Sequence, residues 1–275
     1  MKIDAHQHFW AMARGDYGWM EGNPAAAPIR RDVTPAEMRP LLDAHGIDAT
    51  VLVQAAPTVA ETHYMLGLAD ATDWVAKVVG WIDFEREEDR TALTQLADHP
   101  KFAGVRPMIQ DIPDDNWMHR PDIAWAYDAI RDLDLSFDAL GLPRHLERFL
   151  RLFERYPDMR AVVDHCMKPA IRDGAFDDWA AWMARIAAET PVYCKLSALA
   201  TEAKADWTPA TLEPYARHIL EVFGPDRTLW GSDWPVLTLN SSYAAWHDAA
   251  QGYVPEAHRA AVFGGTAAAF YRIEA

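Results

Sequence analysis

A chain of 275 residues, half of them hydrophobic and 24% charged, can bury a large core and has an ordinary globular composition. Its formal net charge of -15, from 41 acidic against 26 basic residues, disfavours general binding to nucleic acid or to an anionic membrane, but leaves room for an acidic small molecule held by one local arginine. No apolar run approaches the length of a membrane span, and the N-terminus reads into a strand without a basic segment and apolar core, so a cytoplasmic location is expected.

In chain order, eight short apolar runs rich in β-branched residues read as strands: Lys2–His8, Thr50–Ala55, Lys77–Asp83, Phe102–Met108, Leu135–Gly141, Met159–Cys166, Val192–Leu196 and Thr228–Trp234. Segments with helical spacing lie between them. Pro35–His45 carries Met38, Leu41 and Leu42, and Thr58–Asp70 starts on a plausible N-cap, Thr58. Ala124–Leu133, His145–Phe153, Phe176–Ala188 and Leu212–Phe223 follow the same pattern, with Tyr243–Ala249 and Glu256–Tyr271 near the end. Strands alternating with helices argue for parallel pairing, and eight such units in this length argue for an α/β fold of the closed (β/α)8 barrel type, one domain over residues 1–275. An open doubly wound sheet would more often show a Gly-rich phosphate turn after its first strand, and here that turn is Phe9-Trp10-Ala11-Met12. The two cysteines, Cys166 and Cys194, sit in apolar runs and read as buried free thiols.

In such barrels the site lies where strands end. Strand 1 offers His6 and His8, which a strand places on one face. The others offer Gln54; Trp81 and Asp83; Arg106; Asp138; Asp164 and His165; Lys195 and Ser197; and, from strand 8, Asp233. Imidazoles with a carboxylate suit zinc or a similar divalent ion. An arginine at a strand end needs an anion or an oxygen-rich ligand, so Arg106 reads as a fork for a substrate carboxylate or carbonyl; the competing reading pairs it internally with Asp83 or Asp138. Lys168, just past strand 6, reads as a loop charge. Trp10, Tyr17, Trp19, Trp81, Trp117 and Trp234 load the expected mouth, and flat apolar walls suit a ring-shaped substrate such as a sugar.

These residues carry a resemblance. Asp4-Ala5-His6-Gln7-His8-Phe9-Trp10 resembles the amidohydrolase superfamily in its amidohydrolase-2 branch. Val53–Thr58, Gly104–Asp111, Val163–His165, Tyr193–Ser197 and Gly231–Pro235 narrow it to the sugar-lactonase group, whose members are similar to L-fuconolactonase and L-rhamnonolactonase and whose relatives hydrolyse 2-pyrone-4,6-dicarboxylate and sulfomuconolactone. The resemblance runs from Met1 to about Tyr271. It implies His6, His8, His165 and Asp233 as metal positions. Arg106 stands where binuclear members hold a bridging carboxylated lysine, and Asp138 where many have a metal histidine, so one divalent ion, Zn(2+), or a metal-independent site is expected rather than two metals.

The expected reaction is hydrolysis of a small-molecule lactone, most simply an aldonolactone opened to its sugar acid. Asp233 takes the proton of the attacking water and returns it to the leaving alkoxide, and His165 stabilises the oxyanion or completes the metal shell. Arg106, Gln54, Trp81 and Trp19 hold the substrate. A lactonase of aromatic catabolism and a metal-dependent decarboxylase of the same branch are the alternatives, with a barrel that only binds a sugar acid behind them.

Overall fold

The computed structural model of the protein describes residues 1–274. The elements follow in order as β1 (Ile3–Gln7), α1 (Pro35–His45), β2 (Ala49–Val53), α2 (Val59–Asp70), β3 (Val75–Gly80), α3 (Asp89–Ala97), β4 (Phe102–Val105), α4 (Ala124–Asp132), β5 (Ser136–Ala139), α5 (Leu146–Arg155), β6 (Ala161–Val163), α6 (Asp177–Glu189), β7 (Tyr193–Leu196), α7 (Leu199–Glu202), α8 (Pro209–Phe223), β8 (Thr228–Trp230), α9 (Tyr243–Tyr253), α10 (Glu256–Ala260) and α11 (Thr266–Tyr271), with short 3-10 turns between. The strands form one parallel sheet in sequential order from β1 to β8. The barrel closes where Gln7 bridges to Trp234, with His8 N donating to Trp234 O at 2.8 Å and Asp233 N to His6 O at 2.8 Å. Among the described residues no helix is long and apolar enough to cross a membrane.

Local chemistry explains the elements. Helix α1 starts on a Thr34–Glu37 capping box with Pro35 in the first turn, and stops at Gly46, which is left-handed at φ 63°. Thr58 caps α2, its hydroxyl accepting from Glu61 N at 3.0 Å. In α5, Phe149, Leu150, Leu152 and Phe153 are buried while Arg151 and Glu154 face water. Two apolar layers result. The larger lies between strands and helices and includes Phe9, Leu52, Phe137 and Trp230. The smaller gathers Ile3, Ala5, Val51, Val79, Val162 and Leu229 with Phe270 and Tyr271 of α11, so the last helix seals the end where the strands begin.

Three expectations change. Helix α3 has only Leu93 and Leu96 buried, too few apolar positions to stand out in the sequence. Glu256–Tyr271 is not one helix: a wide turn over Ala261–Gly265 separates α10 from α11, where a Cβ on Gly264 would collide with the Met1 carbonyl. Strands β3, β4, β6 and β8 end earlier than expected, at Gly80, Val105, Val163 and Trp230, and past the last two His165 and Asp233 take left-handed backbone (φ 53° and 59°).

Candidate active site

The pairing of β1 with β2 shifts register between Asp4 and Gln7. That irregularity breaks the strict alternation of faces. Ala5 stays in the small inner core, while His6 and His8 reach the polar end of the barrel with their Nε2 atoms 3.3 Å apart. Across the seam Asp4 organises the β8 end: its Oδ1 accepts from Ser232 N at 2.8 Å and its Oδ2 from the Tyr243 hydroxyl at 3.0 Å. Gly231 is required there, since a Cβ would lie 2.8 Å from the His6 Cβ.

Four side chains converge. Asp233 Oδ1 is 3.2 Å from His8 Nε2, 3.8 Å from His6 Nε2 and 3.8 Å from His165 Nε2. His8 is aimed by Nδ1 donating to Val53 O at 2.7 Å, and His165 Nδ1 is 2.8 Å from Ser197 Oγ. His165 heads a run of four left-handed residues, His165 to Lys168. Each such residue costs about 1–2 kcal/mol. The turn is held by Trp179 Nε1 donating to Cys166 O at 2.7 Å and by the Cys166 thiol donating to Lys195 O at 3.3 Å. Cys166 is therefore a buried thiol in a strained turn rather than a strand residue, and its thiol is engaged by Lys195 O.

Burial pushes the His165 imidazole down to about 3, and burial with the Lys195 charge holds His6 well below the ordinary histidine value. Burial pushes the Asp233 carboxyl up, but His165 and His8 outweigh it and the net shift is down. Neutral imidazoles around an ionised carboxylate form a ligand set. The ligand atoms of His6, His165 and Asp233 lie within 4.8 Å of one another. A tetrahedral zinc site with bonds of about 2.0–2.1 Å spaces its ligand atoms by roughly 3.4 Å, so 3.2–3.8 Å fits one divalent ion. Lys195 Nζ lies 3.0 Å from His6 Nδ1, so Nε2, which faces His8 and Asp233, is the His6 nitrogen that would meet an ion.

Beneath the cluster is a buried polar floor. Lys195, fully buried, donates to Asp138 Oδ2 at 2.6 Å and lies 2.9 Å from Asp164 Oδ1. Tyr271 of α11 donates to the same Asp138 oxygen at 2.7 Å. Burial would raise both carboxyls; Lys195 and His6 hold Asp164 well below the usual range, whereas Asp138, with ionised Asp164 nearby, stays raised. The Arg106 guanidinium donates through Nη1 to Asp164 Oδ2 at 3.3 Å and through Nη2 to Gln54 Oε1 at 3.0 Å, and its Nε has no protein partner.

A cavity of about 330 Å3 opens over this cluster, lined among others by His8, Trp10, Trp19, Arg106, His165, Lys168 and Asp233. Several expected residues take other places. Gln54 is fully buried and off the cavity wall; its amide grips Arg106 twice, Nε2 donating to Arg106 O at 2.9 Å and Oε1 accepting from Nη2, because a buried guanidinium needs acceptors. Trp81 lines a neighbouring cavity instead. Arg106 pairs with Asp164 rather than with Asp83 or Asp138. Asp138 and Lys195 point into the barrel and not to its mouth. Lys168 is more than a loop charge: the left-handed turn swings it onto the cavity wall beside His165. Asn23 and Gln110 line the cavity too, and only the length of the first loop hinted at such contributions.

The chain matches the model of the Amidohydrolase family over residues 3–273. It is 43% identical to an L-fucono-1,5-lactonase of Burkholderia ambifaria over 99% of this chain and 96% of the relative. It is 33% identical to an L-fucono-1,5-lactonase of Burkholderia multivorans, over 99% and 96%. A crystal structure of an amidohydrolase from Burkholderia multivorans with bound zinc superposes with a TM-score of 0.92 at 32% identity, covering 100% of both chains. A histidine and aspartate cluster at the closing seam of an eight-stranded parallel barrel, with family similarity along nearly the whole chain, places this protein in the amidohydrolase family.

Proposed function

We propose that residues 1–275 form one catalytic domain that hydrolyses a sugar lactone, with Asp233 as the base. The observation that carries this reading is an ionised, buried carboxylate 3.2–3.8 Å from three imidazoles on the wall of a cavity that also presents Arg106 and Lys168. Similarity to L-fucono-1,5-lactonases over 99% of the chain supports a six-membered aldonolactone, with L-fucono-1,5-lactone the first substrate to test.

The lactone carbonyl lies against the Arg106 guanidinium on the cavity wall, while Gln54 and Asp164 fix the guanidinium plane. Asp233 accepts a proton from the water attacking the carbonyl carbon, and positive charge from Arg106 and Lys168 stabilises the oxyanion. The ring C–O bond then breaks, Asp233 returns its proton to the alkoxide, and the hydroxy acid leaves. Trp10 and Trp19, with ring centroids 6.1 Å apart, wall the sugar face. His6, His8, His165 and Asp233 would hold one divalent ion, zinc by its preference for nitrogen donors, which when bound supplies Lewis acidity to the carbonyl and the water.

Asp233→Asn is the test. It removes the base at nearly constant shape, so lactone opening, followed by acid release with a pH indicator, falls at least a thousandfold while circular dichroism is unchanged. Retained turnover removes Asp233 from the mechanism. For the ion, protein dialysed against a chelator loses activity and regains it with zinc; full activity with no metal by elemental analysis refutes a catalytic ion.

A further inference from the structure

A second cavity of about 460 Å3 adjoins the one that holds Asp233. The two share Trp19, Met108 and Asp111, so they are compartments of one cleft. Each falls near the lower end of the roughly 300–1,000 Å3 typical of small-ligand sites. Together they exceed what a single sugar ring fills.

The chemistry of the two compartments differs. The first presents Arg106, Lys168 and the histidines. Among the described residues the second has no basic side chain on its wall; it has Trp19, Trp81, Phe84 and Trp117 with a rim of carboxylates. Two of the indole rings are held by hydrogen bonds. Trp19 Nε1 donates to Ala55 O at 2.9 Å, Trp117 Nε1 donates to Glu85 Oε1 at 2.8 Å, and the Trp81 backbone is pinned by the Thr62 hydroxyl at 2.8 Å. Two rim carboxylates are neutralised, Glu85 by Arg120 at 3.1 Å and Asp16 by Arg14 at 2.6 Å. Asp83 and Asp111, also on the wall, each keep one carboxylate oxygen without a protein donor. Fixed aromatic faces with hydroxyl acceptors at the edge recognise an uncharged polyhydroxylated ring. The same rim repels a carboxylate, which disfavours dicarboxylate lactones of aromatic pathways.

Resting on the sugar-lactonase reading, we propose that the second compartment is a subsite for a second sugar ring, and that the preferred substrates are lactones of disaccharide size, aldobionolactones. The lactone ring sits over Asp233, and the glycosidic bond passes the seam formed by Trp19 and Met108.

The test compares glucono-1,5-lactone and L-fucono-1,5-lactone with cellobiono-, maltobiono-, lactobiono- and melibiono-1,5-lactone, which vary the linkage. At least one disaccharide lactone is expected to exceed glucono-1,5-lactone tenfold in kcat/KM. Ile112→Trp fills the second compartment at a half-buried position and is expected to erase that gain while leaving both monosaccharide lactones within twofold. Glu85→Ala, at an exposed position, frees Trp117 without touching the core and is expected to cut the gain at least threefold. Four disaccharide lactones no better than glucono-1,5-lactone, or a gain that survives both variants, overturn the subsite. Inhibition of disaccharide turnover by choline at lower concentration than by cellobiose also overturns it and assigns the compartment to organic cations. Hydrolysis of neither substrate class overturns the sugar-lactonase reading itself.

Discussion

Lys195→Met should be among the most damaging single changes in this protein. The lysine is fully buried, and its ammonium contacts Asp138 at 2.6 Å, Asp164 at 2.9 Å and His6 at 3.0 Å. Methionine matches the volume but leaves two buried carboxyls facing each other without their cation. Breaking a buried ion pair by removing one partner costs about 3–5 kcal/mol. For a chain of this size that is a fall in Tm of roughly 5–9 °C. The deficit depends on pH. Without the lysine, burial drives the folded-state pKa of Asp138, already raised, further up, and Asp164, left with Arg106, rises as well. Their contribution is then complete below the unfolded pKa and is lost as pH rises through the folded one, so the variant recovers toward wild type on acidification. Urea unfolding at pH 7 and pH 5 reads both quantities, and adding Asp138→Asn should return part of the loss. A variant within 1 kcal/mol of wild type, or a deficit equal at both pH values, would refute this account of the floor.

Two other perturbations test the site itself. Burial pushes His165 to about 3 and His6 well below its ordinary value, and Asp233 titrates below the usual carboxylate. As pH falls, His165 and Asp233 stay unprotonated well into the acid range, so kcat/KM should stay flat down to about pH 5. A limb with an apparent pKa near 6.5 would show a histidine titrating normally in the free enzyme. Gly231→Ala places a methyl 2.8 Å from the His6 Cβ. It should prise β1 from β8, destabilise by about 1–3 kcal/mol and lower kcat at least tenfold, by urea unfolding and lactone assay. Wild-type turnover in that variant would mean the seam does not position the site.

Much of the fold was legible because its signals are local. Eight β-branched runs, all but the third followed by helical spacing, specify parallel strands with crossovers, and Thr58, Pro35 and Gly46 mark helix ends through local capping chemistry. The spacing of His6 and His8 and the place of Asp233 at the end of the last strand run likewise come from chain order alone. The rest depended on partners distant in sequence. Gln54 reads as a mouth residue until Arg106, 52 residues on, takes its amide. Lys195 reads as one more strand-end charge until β5, β6 and α11 surround it with Asp138, Asp164 and Tyr271. Lys168 looks like a solvated loop residue because no local pattern encodes four successive left-handed residues; tertiary hydrogen bonds from Trp179 and to Lys195 hold that turn. Which strands exist, and in what order, is a matter of propensity and periodicity, and the sequence determines it alone. Which polar groups meet inside the barrel is decided only in three dimensions, because a buried charge goes wherever its counter-charge is, however far along the chain that lies.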